Sequence, residues 1–479
     1  MTTCSTRVQQ PPSRIWPNGW RFSTDCRGRR TPAGPRLTRR PQCSISGGGA
    51  GGAAGGSSPE LQAVVGCHLH GVATERFGPI DFDRFHRDEL PALLEARGPN
   101  FPVSEIAAVR PLAFQLTDGR SYTYLPSGSG FTVAAGCAEA HTVAEVPYDE
   151  WCSFVWELKT CFALLYSDQL AVTRGSFGQL ARWEPLLRVA LDGQELYEID
   201  DPEPVRDGAG RELDCTRTFT LDDGDEEIAD FLRRAGFVHL RGVMEPDEIE
   251  AIRADVAVGV AAARPDDRRS WWTTVNGRDV CNRVNYLNEQ SALIAGLGAD
   301  RRFLRIAALG GADLRDALDR LDGNGVVIKV PGSTGGLADL PWHRDCGMGG
   351  HPVKCPMLNV GLQLDPATAA NGQLLMVPGS HRGTSRLPGA GEAAGLPTVA
   401  LSTEPGDVTV HFGHTLHAAP PPADRQSTGR QALYLSFVPP LTFEMVGPGQ
   451  GYNDVLFTRD AGHVRHADQL HAAAGPSPV

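Results

Sequence analysis

The stretch "LPWHRDCGMGG", Leu340 to Gly350, decides how the last third of this 479-residue chain is read. A histidine and an aspartate stand two apart, behind a Pro-Trp pair and ahead of glycines. Residues i and i+2 of a β-strand project to one face, so His343 and Asp345 on a strand can reach a single ion together. The same spacing also suits two loop residues that hydrogen-bond each other or water. The surrounding sequence separates the two readings.

From Gly325 to Pro439 short apolar segments alternate with Gly, Pro, Asp and Asn turns, the spacing of a β-sandwich or jelly roll. In order they are "GVVIKVPG", "PWHRD", "PMLNVGLQLD", "NGQLLMVPGSHRG", "GDVTVHFGHTLHAA" and "RQALYLSFVPP". An imidazole and a carboxylate from one strand, with a second imidazole from another, make a facial triad. Its three open positions take a chelating cosubstrate and oxygen in non-haem Fe(II) oxygenases. His411, His414 and His417 share one segment, and strand alternation separates them only weakly. Arg430 opens the next strand. A guanidinium there can grip the far carboxylate of a dicarboxylate whose near end chelates the metal.

These motifs, with the leader "AGFVHLRGVMEPDEIEAIR", resemble the phytanoyl-CoA dioxygenase family over about Leu221–Pro440. The resemblance implies a double-stranded β-helix and an oxygenase using Fe(II), 2-oxoglutarate and O2. Position by position, His343, Asp345 and His417 match the catalytic iron ligands, and Arg430 matches the residue that binds the distal carboxylate of 2-oxoglutarate. Lys329 falls where the family often carries a basic residue near the cosubstrate. Asn359 and Gln363 share a strand face with Gly361, where some members place an aromatic side chain against the cosubstrate. The glycine implies a roomier pocket. His381 matches a histidine that is usually structural. His411 and His414 are read as packing or supporting groups, Asp407 as a turn former, and His351, His463, His466 and His471 as solvated. Trp271, Trp272 and Tyr286 either line a substrate mouth or pack helices. The implied reaction converts 2-oxoglutarate to succinate and CO2 and hydroxylates an unactivated C–H of a small-molecule or acyl/lipid substrate. Because Asp345 keeps its carboxylate, hydroxylation is expected over halogenation. The alternative is a lipid- or acyl-binding protein with a catalytically idle β-helix, which the complete ligand set opposes.

The overall fold class is α+β, with flanking helices around the C-terminal jelly roll and a separate α+β domain before it. Within residues 61–197, "FTVAAG" and "HTVAEVP" read as strands. Trp151, Phe154, Val155 and Leu158, followed by Cys161 and Phe162, have helical spacing. A strand "LAVTRGSF" and a closing helix "GQLARWEPLLRVALDG" follow. This order resembles the sterol-carrier-protein-like lipid-binding fold over Phe131–Gly193. Phe154, Val155, Leu158 and Phe162 would then wall an apolar cavity, although they suit a closed core as well. Residues 198–215 read as a linker, 216–450 as the oxygenase domain and 451–479 as a tail. Asp225 is the expected N-cap of a helix that ends at Gly236, and Pro246 starts another carrying Ile249, Ile252, Val256 and Val260. All candidate ligands follow Gly325, so the catalytic centre is expected to form without residues 61–197.

A net charge of -12 argues against nucleic acid as a partner, because phosphate binding needs a basic face. No apolar run is long enough for a transmembrane helix. The 11 cysteines form no Cys-x-x-Cys, so free thiols in a reducing cytoplasm are expected. Residues 1–60 carry nine arginines against Asp25 and Glu60 and end in a Gly/Ser-rich run. They read as a disordered arm, with an organellar transit peptide or an early start codon as the alternatives. Oligomeric state leaves no signal in the sequence.

Overall fold

The computed structural model describes residues 77–465 apart from 98–100, 312, 334–336, 338–339, 349–354, 389–394, 423, 425 and 459–461. The arm of residues 1–60 and His351, His466 and His471 lie outside the described residues.

Residues 77–197 build a five-stranded sheet with helices against it. Its strands are β1 (Leu112–Leu116), β2 (Ser121–Ser127), β3 (Gly130–Ala135), β4 (Thr142–Val146) and β5 (Ala171–Arg174), in the order β3-β2-β1-β4-β5. β1 and β4 run parallel, and the other pairs are antiparallel. The helical pattern from Trp151 to Phe162 resolves into two helices, α1 (Tyr148–Val155) and α2 (Cys161–Tyr166). Glu157 takes the left-handed region at φ 63°, and the Thr160 hydroxyl caps α2 by accepting from the Ala163 N–H. That cap satisfies a backbone donor which a continuous helix would not expose. α3 (Phe177–Asp192) starts on a Ser176 cap and stops at Gly193, where φ is 67° and a side chain would be strained. Phe154 and Val155 are buried in a closed core.

Among the described residues fourteen further strands follow α3. In chain order they are β6 (Glu195–Leu196), β7 (Phe237–Leu240), β8 (Ser270–Val275), β9 (Arg278–Val284) and β10 (Arg315–Asp316). Next come β11 (Gly325–Lys329), β12 (Leu340–His343), β13 (Leu358–Gln363), β14 (Leu374–Met376) and β15 (Gly383–Thr384). The last are β16 (Val399–Leu401), β17 (Val408–Phe412), β18 (His417–Ala419) and β19 (Arg430–Val438). The larger sheet runs β7-β17-β13-β19-β11-β9-β8 with β10 on β19, and the smaller runs β12-β18-β14-β16. Every pairing within these two sheets is antiparallel.

Period-two alternation gives the larger sheet two chemically different faces. Leu358, Val360 and Leu362 of β13, Val408, Val410 and Phe412 of β17, and Leu433, Leu435 and Phe437 of β19 enter the main core. Two helices supply much of the rest. α4 (Asp225–Ala235) contributes Ile228, Phe231 and Leu232, and α5 (Pro246–Ala262) contributes Ile249, Ile252 and Val256. Gly224, not Asp225, is the α4 N-cap; Asp225 sits in the first turn, where an acid favours the helix dipole. The residues between those apolar positions, Asn359, His411, Arg430, Tyr434 and Ser436 among them, are left for the other face, which lines the site.

The α+β half shares a hydrophobic core with the second half. Its core residues Trp151, Trp183 and Leu186 cluster with Trp271, Leu456, Phe457 and Val464 from the second half. The expected tail supplies part of this seam: α6 (Tyr452–Leu456) packs inward, and the Tyr166 hydroxyl donates to the Arg465 carbonyl at 2.8 Å. The expected linker is also structured. Just before it β6 pairs in parallel with β15, and within it Val205 is buried and its carbonyl accepts from the Leu213 N–H at 2.8 Å. Among the described residues no helix is long and apolar enough to cross a membrane.

Candidate active site

β12 ends at His343, so His343 and Asp345 are not two residues on one strand face as expected. A turn brings them together instead. The Asp345 N–H donates to the Gly413 carbonyl at 2.8 Å. Between the two ligands, the Arg344 guanidinium donates to the His414 carbonyl and the Ser385 hydroxyl, both at 3.0 Å. Burial lowers the Arg344 pKa to about 10, still a cation at neutral pH. On β18, His417 is the direct register partner of His343, with ring centroids 4.2 Å apart. One ligating atom from each of His343, Asp345 and His417 lies within 4.8 Å of the others, and among the described residues no other trio does so.

The tautomers suit a cation. His343 Nδ1 lies 2.7 Å from the Pro341 carbonyl, and His417 Nδ1 lies 2.9 Å from the Thr415 carbonyl. A carbonyl can only accept, so each Nδ1 carries the proton and each Nε2 turns a lone pair inward. Those Nε2 atoms face Asp345 at 3.5 Å each. Lone pairs and a carboxylate converging without a proton between them repel one another, and a divalent cation removes that repulsion. Burial pushes the His417 pKa down to about 3, which keeps its imidazole neutral. Burial also opposes ionisation of Asp345, but the imidazoles of His417, His343 and His411 around it outweigh that and hold the carboxyl well below its usual range.

A row across the larger sheet holds Asp345 from behind. Asn359 Nδ2 donates to Oδ2 at 2.6 Å, and His411 Nε2 approaches the same oxygen at 3.0 Å. Ser436 donates to Asn359 Oδ1 at 2.9 Å, and His411 and Ser436 are the register partners of Asn359 on either side. His411 therefore supports a ligand and does not complete the trio.

Arg430 is buried and donates through Nε and Nη2 to the Gly372 carbonyl at 3.0 and 2.8 Å. Burial depresses its pKa, and no described carboxylate lies within ion-pair distance of it. A buried guanidinium in that state is costly unless an anion joins it. Lys329 is its cross-strand partner on β11, but the ammonium donates to the Ala419 carbonyl, and Lys329 is not on the cavity wall. Gln363 also stays off the wall, donating to the Gly361 carbonyl at 3.0 Å and to Thr409 Oγ1 at 3.3 Å. Gly361 does not make the pocket roomier. A Cβ there would lie 2.8 Å from Tyr434 Cε1, because the tyrosine ring from β19 already occupies that space.

The trio and Arg430 line one cavity of about 950 Å³. Trp271, Leu340 and Leu456 contribute to its apolar wall, and α2 and α3 add Phe162, Tyr166, Phe177 and Ala181. Of the residues expected to wall an apolar cavity, Phe162 does so and Phe154, Val155 and Leu158 do not, while Tyr166, Phe177, Ala181, Tyr434 and Arg344 were missed. For Tyr434 a signal existed, since it stands four residues after Arg430 on one strand and so shares its face. No local signal marks the wall. Among the other histidines, His381 stacks on Phe412 and approaches the Arg233 carbonyl at 3.0 Å, a packing role. Asp407 shapes a turn by accepting from the Gly242 and Glu404 N–H groups. Trp271 lines the cavity, whereas Trp272 and Tyr286 are not on its wall.

Residues 232–427 match the model of the family described as phytanoyl-CoA dioxygenase (PhyH). No curated protein matches the chain. Among solved structures it is similar to AviO1 from Streptomyces viridochromogenes Tue57, at 26% identity over 45% of this chain and 96% of that one, TM-score 0.37. It is similar to the non-haem α-ketoglutarate-dependent epimerase SnoN from nogalamycin biosynthesis, at 22% identity over 45% and 82% of the chains, TM-score 0.37. It is also similar to EctD from S. alaskensis with bound Fe, at 19% identity over 54% and 90% of the chains, TM-score 0.39.

Proposed function

From the premise that residues 232–427 are a domain of the phytanoyl-CoA dioxygenase family, whose members are Fe(II)- and 2-oxoglutarate-dependent oxygenases, we propose that the chain hydroxylates an unactivated C–H of a largely apolar small molecule. The observation that carries this reading is the His343–Asp345–His417 trio opening, with Arg430, onto one cavity of about 950 Å³. We read the two antiparallel sheets with the trio between them as a double-stranded β-helix.

His343, Asp345 and His417 would hold the iron, which supplies dioxygen activation coupled to conversion of 2-oxoglutarate into succinate and CO2. The chain's own residues do the rest. Asn359 and His411 fix the Asp345 carboxylate, so it cannot rotate away from the metal position. The Arg430 guanidinium takes the far carboxylate of 2-oxoglutarate, and the mainly apolar wall excludes water from the reacting centre. Ligand sites of about 300–1,000 Å³ suit drug-sized molecules, so cosubstrate and a compact substrate fit together here. Because α2 and α3 wall the cavity, the N-terminal half sets which substrate enters, and an acyl or lipid chain suits that apolar wall.

The test is succinate formation from 2-oxoglutarate by the purified full-length chain with Fe(II) and O2. Untargeted comparison of cell extracts treated with wild type or Asp345→Ala then finds the product. Expected are chelator-sensitive succinate and a metabolite that gains one oxygen atom with wild type alone. Absence of iron-dependent succinate leaves the idle-domain, acyl-binding alternative in its place.

A further inference from the structure

Tyr434 sits in β19 with a glycine on either side, its register partners being Gly325 on β11 and Gly361 on β13. Two neighbours without side chains make room for one ring. The ring uses it: a Cβ on Gly361 would lie 2.8 Å from Tyr434 Cε1 and 3.2 Å from Cζ. Tyr434 shares a strand face with Arg430, and both line the cavity. Arg430, Asp345 and Arg283 all lie close enough to act electrostatically on the phenol. Burial raises its pKa, so the hydroxyl stays a donor at neutral pH. No hydrogen bond ties that hydroxyl to any described residue, although it stands in a largely apolar cavity. An unpaired donor beside an uncompensated guanidinium calls for an anionic oxygen on a ligand.

We propose that Tyr434 donates a hydrogen bond to a carboxylate of 2-oxoglutarate and so acts beside Arg430 as a positioning residue for the cosubstrate. The proposal rests on the oxygenase reading of the site. It also accounts for the glycine at position 361. The aromatic side chain expected from β13 arrives from the neighbouring strand and brings a hydroxyl with it.

Tyr434→Phe keeps the ring and deletes only the donor. Two quantities are read: the Kd of 2-oxoglutarate for the Fe(II)-loaded protein under nitrogen by calorimetry, and KM against kcat in the succinate assay. A hydrogen bond to a charged group corresponds to a loss of about tenfold to 100-fold in affinity. Kd and KM for 2-oxoglutarate should rise by that factor, with KM rising more than kcat falls. Gly361→Ala, which must displace the ring, should raise the same two constants with the hydroxyl still present. Unchanged Kd and KM in Tyr434→Phe overturn the proposal and leave the ring as a space filler. Arg430→Ala, measured alongside, separates the two levels. If it weakens 2-oxoglutarate while Tyr434→Phe does not, the tyrosine assignment alone fails. If the Fe(II)-loaded wild type neither binds 2-oxoglutarate nor forms succinate, the oxygenase reading fails and the proposal with it.

Discussion

Expressing residues 216–479 alone cuts the chain at the boundary its sequence suggests, and the structure predicts a failed fold. The cut uncovers Trp271, Leu456, Phe457 and Val464, at most 8% exposed in the intact chain and clustered with the N-terminal half. Fully burying one such side chain contributes about 1.5–3 kcal/mol, so uncovering all of them withdraws at most about 6–12 kcal/mol. A whole domain is stable by about 5–15 kcal/mol, so the loss rivals the total. The cut also removes the Thr160 N–H and hydroxyl, which donate to the Gly347 carbonyl at 2.9 and 3.0 Å, two residues beyond Asp345. The fragment should therefore be insoluble, or melt far below the full chain, with little succinate production. Soluble yield, melting by circular dichroism and 2-oxoglutarate turnover are measured on both proteins. A soluble fragment that melts within a few degrees of the full chain and turns over 2-oxoglutarate would refute the shared-core argument.

Asp345→Ala removes the anionic ligand, and two imidazoles hold Fe(II) poorly, so bound iron by elemental analysis and succinate formation should both vanish. Arg430→Ala breaks a buried charge pair with the cosubstrate at a cost of about 2–5 kcal/mol, so KM for 2-oxoglutarate should rise from about 30-fold to several-thousand-fold. Asp316 is a carboxyl whose pKa burial raises to about 7, and its Oδ1 has no partner. A raised carboxyl stabilises nothing above that pKa: the unfolded chain ionises first, so stability falls between about pH 4 and pH 7. Asp316→Asn should accordingly raise the melting temperature at pH 8 relative to wild type and by much less at pH 5, and an equal shift at both values would contradict this.

What was legible in the sequence is what repeats locally. Alternation in β13, β17 and β19 separates Val360, Val410 and Leu435, which enter the core, from Asn359, His411 and Ser436, which meet at Asp345. Capping chemistry likewise shows where α4 and α5 stop and start. The convergence of His343, Asp345 and His417 was legible through motif order, although the expected common strand face proved to be a turn. The rest depends on partners far away in the chain. Position 361 reads as empty space only while its ladder neighbour is unknown, and that neighbour lies in a strand paired across the sheet. Thr160 and Gly347 are 187 residues apart, and neither carries a mark that it will meet the other. A short helix such as α6, after a glycine-rich turn, looks like a tail until the Trp271 indole N–H is found donating to Asn453 at 2.7 Å.

The same contacts tie the N-terminal half to the candidate site. One hydroxyl, that of Thr160, accepts from the Ala163 N–H to cap α2 and donates to the Gly347 carbonyl. Capping fixes the start of α2, which orients Phe162 and Tyr166 toward the cavity. The donated bond holds the far end of the turn whose near end carries Asp345, while Gly413 holds that turn from the other side through the Asp345 and Cys346 N–H groups. The cavity wall formed by α2 and the turn that bears Asp345 thus share an anchor, although His343, Asp345 and His417 all come from the second half of the chain.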